Sequence, residues 1–282
     1  MMSGKKIVID PRAGFCGGVK RAILLVQDSL KNGGEIFVRG ALIHNQREME
    51  RLAENGLRIT PDVDTVSGKA MFIRTHGETP EIYHKAEELG LEVIDATCRN
   101  VKKSQEVIAS ATGENRKIYI FGKMNHPEVI GLCGYCKDNG TVIQTVDDLN
   151  SEIEDVPSLL IPQTTADPDK FEKVKNYLAE KISDLEVYNA ICPFVSHREE
   201  ELRTFAKSVD AIVFVGGKQS SNTAVLFSVC KSVNPNSYFV DRPAELSIDE
   251  LKKFNTIGVS GSASTPMWQL EEIANYIFGF IN

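Results

Sequence analysis

No apolar run in this sequence approaches the roughly 20 residues that span a bilayer. The N-terminal stretch Met1-Met2-Ser3-Gly4-Lys5-Lys6 leads straight into Ile7-Val8-Ile9, with no apolar leader and no small-residue cleavage site. These absences predict a cytoplasmic protein without a membrane partner. An excess of positive charge is also missing: 32 Lys and Arg stand against 39 Asp and Glu, a net charge of −7, which argues against a nucleic-acid surface. Low-complexity segments are absent. Gly14-Phe15-Cys16-Gly17-Gly18 lacks the G-x-G-x-x-G spacing of a dinucleotide loop. Gly216-Gly217-Lys218 fails as a P-loop, because Ile212 and Gln219 occupy positions that need Gly and Ser or Thr. Histidine is scarce, five in 282 residues, so its placement carries information.

What is present is internal repetition. Leu91-Glu92-Val93-Ile94-Asp95-Ala96-Thr97-Cys98 and Leu185-Glu186-Val187-Tyr188-Asn189-Ala190-Ile191-Cys192 agree at five of eight positions and both end in cysteine. Lys6-Ile7-Val8-Ile9-Asp10, followed by Cys16, is a weaker third copy. A second element recurs as a β-branched or aromatic run ending in glycine. Glu35–Gly40 leads to His44-Asn45, Lys117–Gly122 to His126-Pro127, and Ala211–Gly216 to Ser220-Ser221-Asn222. A third recurs as Met71–Arg74 before Thr75-His76-Gly77, Leu159–Pro162 before Gln163-Thr164-Thr165, and Thr256–Val259 before Ser260–Pro266. Helical patterns follow over Pro80–Leu89, Asp167–Ala179 and Pro266–Ile277. Pro80 and Pro266 suit first-turn positions, with the preceding threonines as caps.

The register agrees. His44 and His126 are 82 residues apart, as are Cys16 and Cys98, while Cys98 and Cys192 are 94 apart, so the second copy carries an insertion. The pattern predicts an α/β fold of three pseudo-repeated units that aim their polar tips and the three cysteines at one central cleft. The units are residues 16–98, 99–192 and 193–282, with 1–15 packing as an N-terminal strand. Each unit would be a parallel sheet flanked by helices, with its polar tips at the carboxyl ends of strands, where such sheets gather ligands.

Six cysteines in a cytoplasmic chain point to metal, redox chemistry or burial rather than structural disulfides. Any one of them reads as a small buried hydrophobe, but Cys16, Cys98 and Cys192 occupy equivalent positions and so argue for one shared site. Thiolates suit zinc or an iron–sulfur cluster. A closed zinc site wants a fourth protein ligand and a cubane cluster usually takes four cysteines, so three would leave one iron open. Cys133-Gly134-Tyr135-Cys136 has C-x-x-C spacing without a companion motif and reads as a buried or incidental pair; Cys230 reads as core. The tips supply His44, His76, His126, Thr164, Ser220, Ser221, Asn222 and Ser264, donors suited to phosphate oxygens. Glu128 is the only carboxylate in these tip motifs. It reads either as a first-turn residue complementing a helix dipole or as a proton donor with a raised pKa.

Several of these segments carry a further resemblance. Gly14–Val19, Ile43-His44-Asn45, Thr75-His76-Gly77, Asp95–Cys98, His126–Val129, Gln163-Thr164-Thr165, Ser220-Ser221-Asn222 and Ala263–Pro266, in this order, resemble the LytB family of 4-hydroxy-3-methylbut-2-enyl diphosphate reductases. The resemblance implies a trefoil-like arrangement of the three α/β units around a central [4Fe-4S] cluster with an open iron, held by Cys16, Cys98 and Cys192. It implies that His44, His76, Ser220, Asn222 and Ser264 hold an allylic diphosphate, with Ser221 nearby. His126 would position the hydroxyl end, and Glu128 coupled to Thr164 would supply protons. Ferredoxin or flavodoxin would deliver electrons singly, and reductive dehydroxylation would give isopentenyl and dimethylallyl diphosphates in the methylerythritol phosphate pathway.

The chain departs from the family pattern beside two cysteines. Arg99-Asn100 stands where proline is usual after Cys98, and Val195 and Glu199 replace the usual threonine and glutamine after Cys192. These positions bear on cluster potential, the electron donor's docking surface, or substrate choice. Two alternatives stand beside the reductase: a LytB-like paralogue acting on another allylic or phosphorylated substrate, and a non-catalytic iron–sulfur electron relay. Glu128 and Thr164 speak against the relay, which needs no proton donor.

Overall fold

The computed structural model describes residues 5–31, 35–66, 70–149, 153–218 and 220–281, and the side chains of Ser196 and Ser221 lie outside that description. The chain opens with β1 (Lys6–Ile9), α1 (Gly17–Lys31), β2 (Ile36–Arg39), α2 (Gln46–Glu54), β3 (Leu57–Thr60), β4 (Ala70–Ile73), α3 (Pro80–Glu88) and β5 (Glu92–Asp95). It continues through α4 (Arg99–Gly113), β6 (Lys117–Phe121), α5 (Pro127–Cys133), β7 (Gly140–Ile143), β8 (Ser158–Pro162), α6 (Pro168–Ala179) and β9 (Leu185–Val187). The last third holds α7 (Pro193–Lys207), β10 (Ala211–Val215), α8 (Ser221–Val233), β11 (Ser237–Val240), α9 (Ile248–Leu251), β12 (Thr256–Gly261) and α10 (Met267–Ile281).

The strands form three four-stranded parallel sheets, in the orders β3-β2-β4-β5, β7-β6-β8-β9 and β11-β10-β12-β1. The three orders are one order. In the third sheet the N-terminal strand β1 takes the place that β5 and β9 take in the others. Sheet centres are apolar on both faces, as parallel sheets require: every residue of β8 and β10 is buried. Phe214 and Phe171 are fully enclosed, each contributing about 2–3 kcal/mol by leaving water.

The chain divides into two compact units. One comprises residues 1–20, 43–54 and 197–282 and contains the sheet of β1, β12, β10 and β11; the other comprises 21–42 and 55–196 and contains the remaining two sheets. In the first unit a core of Val213, Val215, Ile257, Val259, Leu270 and Ile273 lies on one face of its sheet, and Leu202, Ile212, Phe214 and Leu226 lie on the other.

The predicted helix starts hold with two changes. Thr79 precedes α3 but its hydroxyl makes no capping bond. Thr265 precedes Pro266 and α10, yet its hydroxyl donates to the Val215 carbonyl at 2.9 Å. It ties the β12 tip to the end of β10 instead of capping a helix. Asp167 does cap α6, accepting from Asp169 N and Lys170 N.

Each sheet order contains a point where the connections reverse direction, between β2 and β4, β6 and β8, and β10 and β12. The crevice at the carboxyl ends of such a strand pair is where open α/β sheets bind ligands. The segments that follow these six strands carry His44, His76, His126 with Glu128, Thr164, Ser220 with Asn222, and Ser264.

Candidate active site

Three equivalent turns deliver three cysteines. At the end of each fourth strand an acidic or amide side chain accepts a hydrogen bond from the backbone N–H two residues on. Asp10 Oδ1 accepts from Arg12 N at 2.9 Å, Asp95 Oδ1 from Thr97 N at 2.9 Å, and Asn189 Oδ1 from Ile191 N at 3.1 Å. These side chains mimic a backbone turn and end the strand. Each cysteine N–H then donates to the tip beyond the neighbouring strand: Cys16 to Ala263 O at 3.3 Å, Cys98 to Thr75 O at 3.0 Å, Cys192 to Thr164 O at 2.8 Å. Each cysteine carbonyl accepts from the helix that follows, from Lys20 N, Lys102 N and Val195 N respectively. The thiols therefore stand at the N-termini of α1, α4 and α7, an end of the helix that favours negative charge. All three are half-buried. Asn100 Nδ2 lies 3.4 Å from Cys192 Sγ, a donor aimed at the sulfur.

In the first unit the Cys16 turn is braced from below. The Arg198 guanidinium, buried on α7, donates through Nη2 to Asp10 Oδ2 at 2.7 Å, Ser260 Oγ at 2.8 Å and the Gly261 carbonyl at 3.2 Å. Ser260 Oγ also donates to Asp10 Oδ2 at 2.7 Å. Asn45 caps α2 by accepting from Glu48 N at 3.0 Å, and it pairs with Gln269 through two amide bonds of 2.9 and 3.1 Å. Both amides are buried, so His44, exposed beside Asn45, extends from a fixed backbone. A Cβ on residue 217 would lie 2.9 Å from the His44 carbonyl, so Gly217 allows the close approach of the β10 tip to His44.

The hydroxyls of the first unit form one network. Thr223 Oγ1 donates to Ser262 Oγ at 3.0 Å, and Ser262 Oγ lies 3.1 Å from Ser264 Oγ. Ser220 Oγ accepts from Thr223 N at 3.3 Å as the cap of α8, leaving its own proton to donate outward. Asn222, in the first turn of α8, is half-buried. Hydroxyls and helix N–H groups directed from one strand end suit an anion without a lysine or arginine.

In the second unit the tips carry a buried carboxyl and two imidazoles. Glu128, buried in the first turn of α5, accepts Thr164 N at Oε1 (2.6 Å) and Thr164 Oγ1 at Oε2 (2.7 Å). Burial raises its pKa to about 7, against the two Thr164 bonds that favour the anion. His126 caps the same helix, its Nδ1 accepting from Glu128 N at 3.2 Å. A neutral ring in this role carries its proton on Nε2. His76 stacks edge-on against His126, with ring centroids 5.3 Å apart. The β4 tip is held by Glu78, buried between Arg39 (2.8 Å) and Arg74 (3.3 Å), whose one carboxylate offsets one of the two positive charges.

The structure thus gathers His76, His126, Glu128 and Thr164 in one unit, and Ser220, Ser264 and the His44 backbone in the other. Cys133 and Cys136 do not join a site. Cys136 lies in the core with its thiol pushed up to about 12, and burial raises Cys133 as well. Cys230 is core. His84 and His197 are exposed on α3 and α7. Sequence reasoning missed the turn residues Asp10, Asp95 and Asn189, although the last two sit at one position of the repeated octet. It singled out Asn100 as a departure beside Cys98 but not its contact with Cys192, and it missed the Arg198–Asp10 pair, whose partners are 188 residues apart and share no local motif.

Comparison with known proteins converges on one group. A family model described as LytB protein matches residues 7–278. The 4-hydroxy-3-methylbut-2-enyl diphosphate reductase of Aquifex aeolicus is 36% identical over 96% of this chain and 95% of its own length. The reductase of the same name from Bacteroides fragilis is 39% identical over 96% and 97%. The solved structure of (E)-4-hydroxy-3-methyl-but-2-enyl diphosphate reductase, the terminal enzyme of the non-mevalonate pathway, aligns over 98% of this chain and 99% of its own with a TM-score of 0.81 and 35% identity. The Plasmodium falciparum E-1-hydroxy-2-methyl-but-2-enyl-4-diphosphate reductase aligns with a TM-score of 0.84 at 27% identity. A match running almost from end to end, in both sequence and fold, makes this chain a member of the LytB family.

Proposed function

We propose that the protein reduces (E)-4-hydroxy-3-methylbut-2-enyl diphosphate to isopentenyl and dimethylallyl diphosphates, the closing step of the methylerythritol phosphate pathway, in the cytoplasm. The observation that carries this reading is Glu128, a fully buried carboxyl clamped by Thr164 and poised near neutrality beside two imidazoles. A relay protein gains nothing from such a group. The full-length kinship to enzymes of this name favours it over a paralogue with another substrate.

Cys16, Cys98 and Cys192 would hold one [4Fe-4S] cluster between the three α/β units 16–98, 99–192 and 193–282. The donor set fits: three half-buried sulfurs at equivalent helix N-termini, one of them receiving a side-chain N–H. Hydrogen bonds to sulfur are among the levers that set cluster potential. Such a cluster supplies electrons one at a time, and an iron without a protein ligand supplies a Lewis-acidic position for the allylic oxygen.

The chain's own residues do the rest. Ser220, Ser221, Asn222 and Ser264, with His44 and His76, would bind the diphosphate through directed donors. His126 would orient the hydroxyl end through Nε2–H. Glu128, in its protonated form, would release its proton toward the substrate by way of the Thr164 hydroxyl that it contacts. The balance is one allylic C–O bond broken and one C–H bond formed, with two electrons and two protons consumed: one proton goes to carbon and the other leaves in the water released. Ferredoxin or flavodoxin would bring the electrons.

The test is turnover under anaerobic conditions. Purified protein, reduced and supplied with the hydroxymethylbutenyl diphosphate, is expected to form both products. An intact cluster with no turnover overturns the reading, and a colourless protein with stoichiometric zinc overturns the cluster as well.

A further inference from the structure

Directly after Cys98, a concave surface of the second unit is lined by Arg21, Asp95, Thr97, Arg99, Lys102, Lys103 and Glu106. Four cations face two carboxylates, on a chain whose net charge is −7. Two of the cations have local employment. Arg21 donates to the Thr97 and Asp95 carbonyls at 3.2 Å each, and Lys102 pairs with Asp95 at 2.6 Å. The other two do not. Among the described residues Arg99 forms no ion pair, and Lys103 meets only Glu106 at 3.4 Å, both ends exposed.

Their position is locally unfavourable. Arg99, Lys102 and Lys103 fall in the first two turns of α4, which has no acidic residue in its first turn. A cation at a helix N-terminus costs roughly 0.3–1 kcal/mol against the dipole. The helix is anchored by a buried face of Val101, Ile108 and Ala111 together with Ser104, Gln105 and Thr112, and neither Arg99 nor Lys103, both exposed, belongs to that face. The charge therefore has a use outside the fold.

We infer that this basic hollow is the docking surface for a small acidic one-electron carrier protein, which reduces the cysteine-held group from the Cys98 side. The inference rests on the reductase reading: each turnover consumes two electrons, and an enzyme that turns over repeatedly must take them from outside. Each visit oxidises one reduced carrier and passes one electron inward, so two visits match the two electrons consumed. Charge complementarity selects the partner and its orientation. An acidic carrier is repelled by an acidic chain at large and attracted where the sign reverses, which steers it to one face. Arg99 is covalently adjacent to Cys98, so a carrier seated on it lies beside one of the three cysteines that would hold the cluster.

The test uses an acidic flavodoxin as probe, and measures its dissociation constant for the cluster-loaded protein by titration calorimetry. The Arg99→Glu/Lys103→Glu variant should bind about tenfold or more weakly. A control, Lys170→Glu/Lys173→Glu on exposed α6, should stay within about twofold of wild type. Raising salt from about 0.05 M to about 0.5 M should weaken the wild type and leave the patch variant nearly unchanged. With reduced methyl viologen, which needs no docking face, the patch variant should turn over like wild type. Flavodoxin affinity within about twofold of wild type in the patch variant overturns the inference. If the double reversal melts early, Arg99→Gln/Lys103→Gln decides: about threefold weaker binding supports docking here and unchanged binding overturns it. Wild-type protein that binds flavodoxin through the patch but fails with viologen and substrate overturns the reductase reading alone.

Discussion

The tips of the β10–β12 crevice and those of the β6–β8 crevice occupy the same place in the same strand order, yet they carry different chemistry. At β10–β12 the groups are Ser220, Thr223, Ser262, Ser264 and Thr265, none of which titrates near neutrality, bonded to one another and to the backbone. At β6–β8 the corresponding contact is a buried carboxyl on a threonine, capped by an imidazole. The turns that lead to Cys16 and Cys192 remain alike down to the side-chain bond that starts them. The backbone that presents sulfur is repeated while the crevices differ, one lined by a hydroxyl network and the other by a buried carboxyl on a threonine.

The largest effect should come from breaking the proton side alone. Glu128→Gln preserves shape and leaves an amide to pair with Thr164, so substrate affinity should change little. Turnover should fall by about 10²–10⁴-fold, the span of a lost general acid. Steady-state kinetics with a direct substrate titration would separate the two, and a variant with unchanged turnover removes Glu128 from its role.

Next in size is the brace beneath Cys16. Arg198→Met leaves Asp10 buried without its cation, which should cost about 3–5 kcal/mol in denaturant unfolding. Adding Asp10→Asn should return most of it, because an amide can keep the turn bond to Arg12 N without a charge. If the double variant is no more stable than the single, the pair acts through something other than charge burial.

How much of this was legible in the sequence differs between the same two regions. The three sheets and their tips are written in β-branched runs ending at glycine and in octets ending at cysteine, because strand pairing and turn geometry are local demands. The likeness of the octet ending at Cys98 to that ending at Cys192 also contained the turn residues Asp95 and Asn189. The state of Glu128 was not legible, because its pKa depends on burial by α5 and on Thr164, 36 residues away. Only the strand order brings that threonine opposite. The Arg198–Asp10 pair was hidden for the same reason, and Thr265 took a bond that local pattern would assign to a cap. Distance along the chain, rather than subtlety of chemistry, marks what the sequence withheld.

A third expected effect concerns pH. The Glu128 carboxyl titrates at about 7 when folded, against 4.5 unperturbed. Between those values the folded state holds a proton that the unfolded state has lost, so stability must fall as pH rises through the window. The full loss, about 3 kcal/mol, should be reached above neutrality. Glu128→Gln should abolish that slope and be the more stable protein at pH above about 8. Parallel pH profiles of unfolding for the two proteins would show the Glu128 curvature to be misassigned.

The smallest change tests the anion side. Ser264 is half-buried and its hydroxyl contacts Ser262 Oγ, which Thr223 already supplies with a proton. Ser264→Ala therefore leaves a neighbour that remains hydrogen-bonded, and stability should change by less than about 0.5–1 kcal/mol. A lost hydroxyl-to-phosphate bond is worth about 1.5–3 kcal/mol, because one partner is charged. The substrate KM should accordingly rise about 10–100-fold with kcat nearly unchanged, the signature of binding lost equally from ground and transition states. Against Glu128→Gln, which should move kcat and spare KM, this gives opposite kinetic outcomes from equivalent crevices of one fold. If Ser264→Ala lowers kcat instead, the division between a charge-holding crevice and a proton-moving crevice is wrong, and the two act as one.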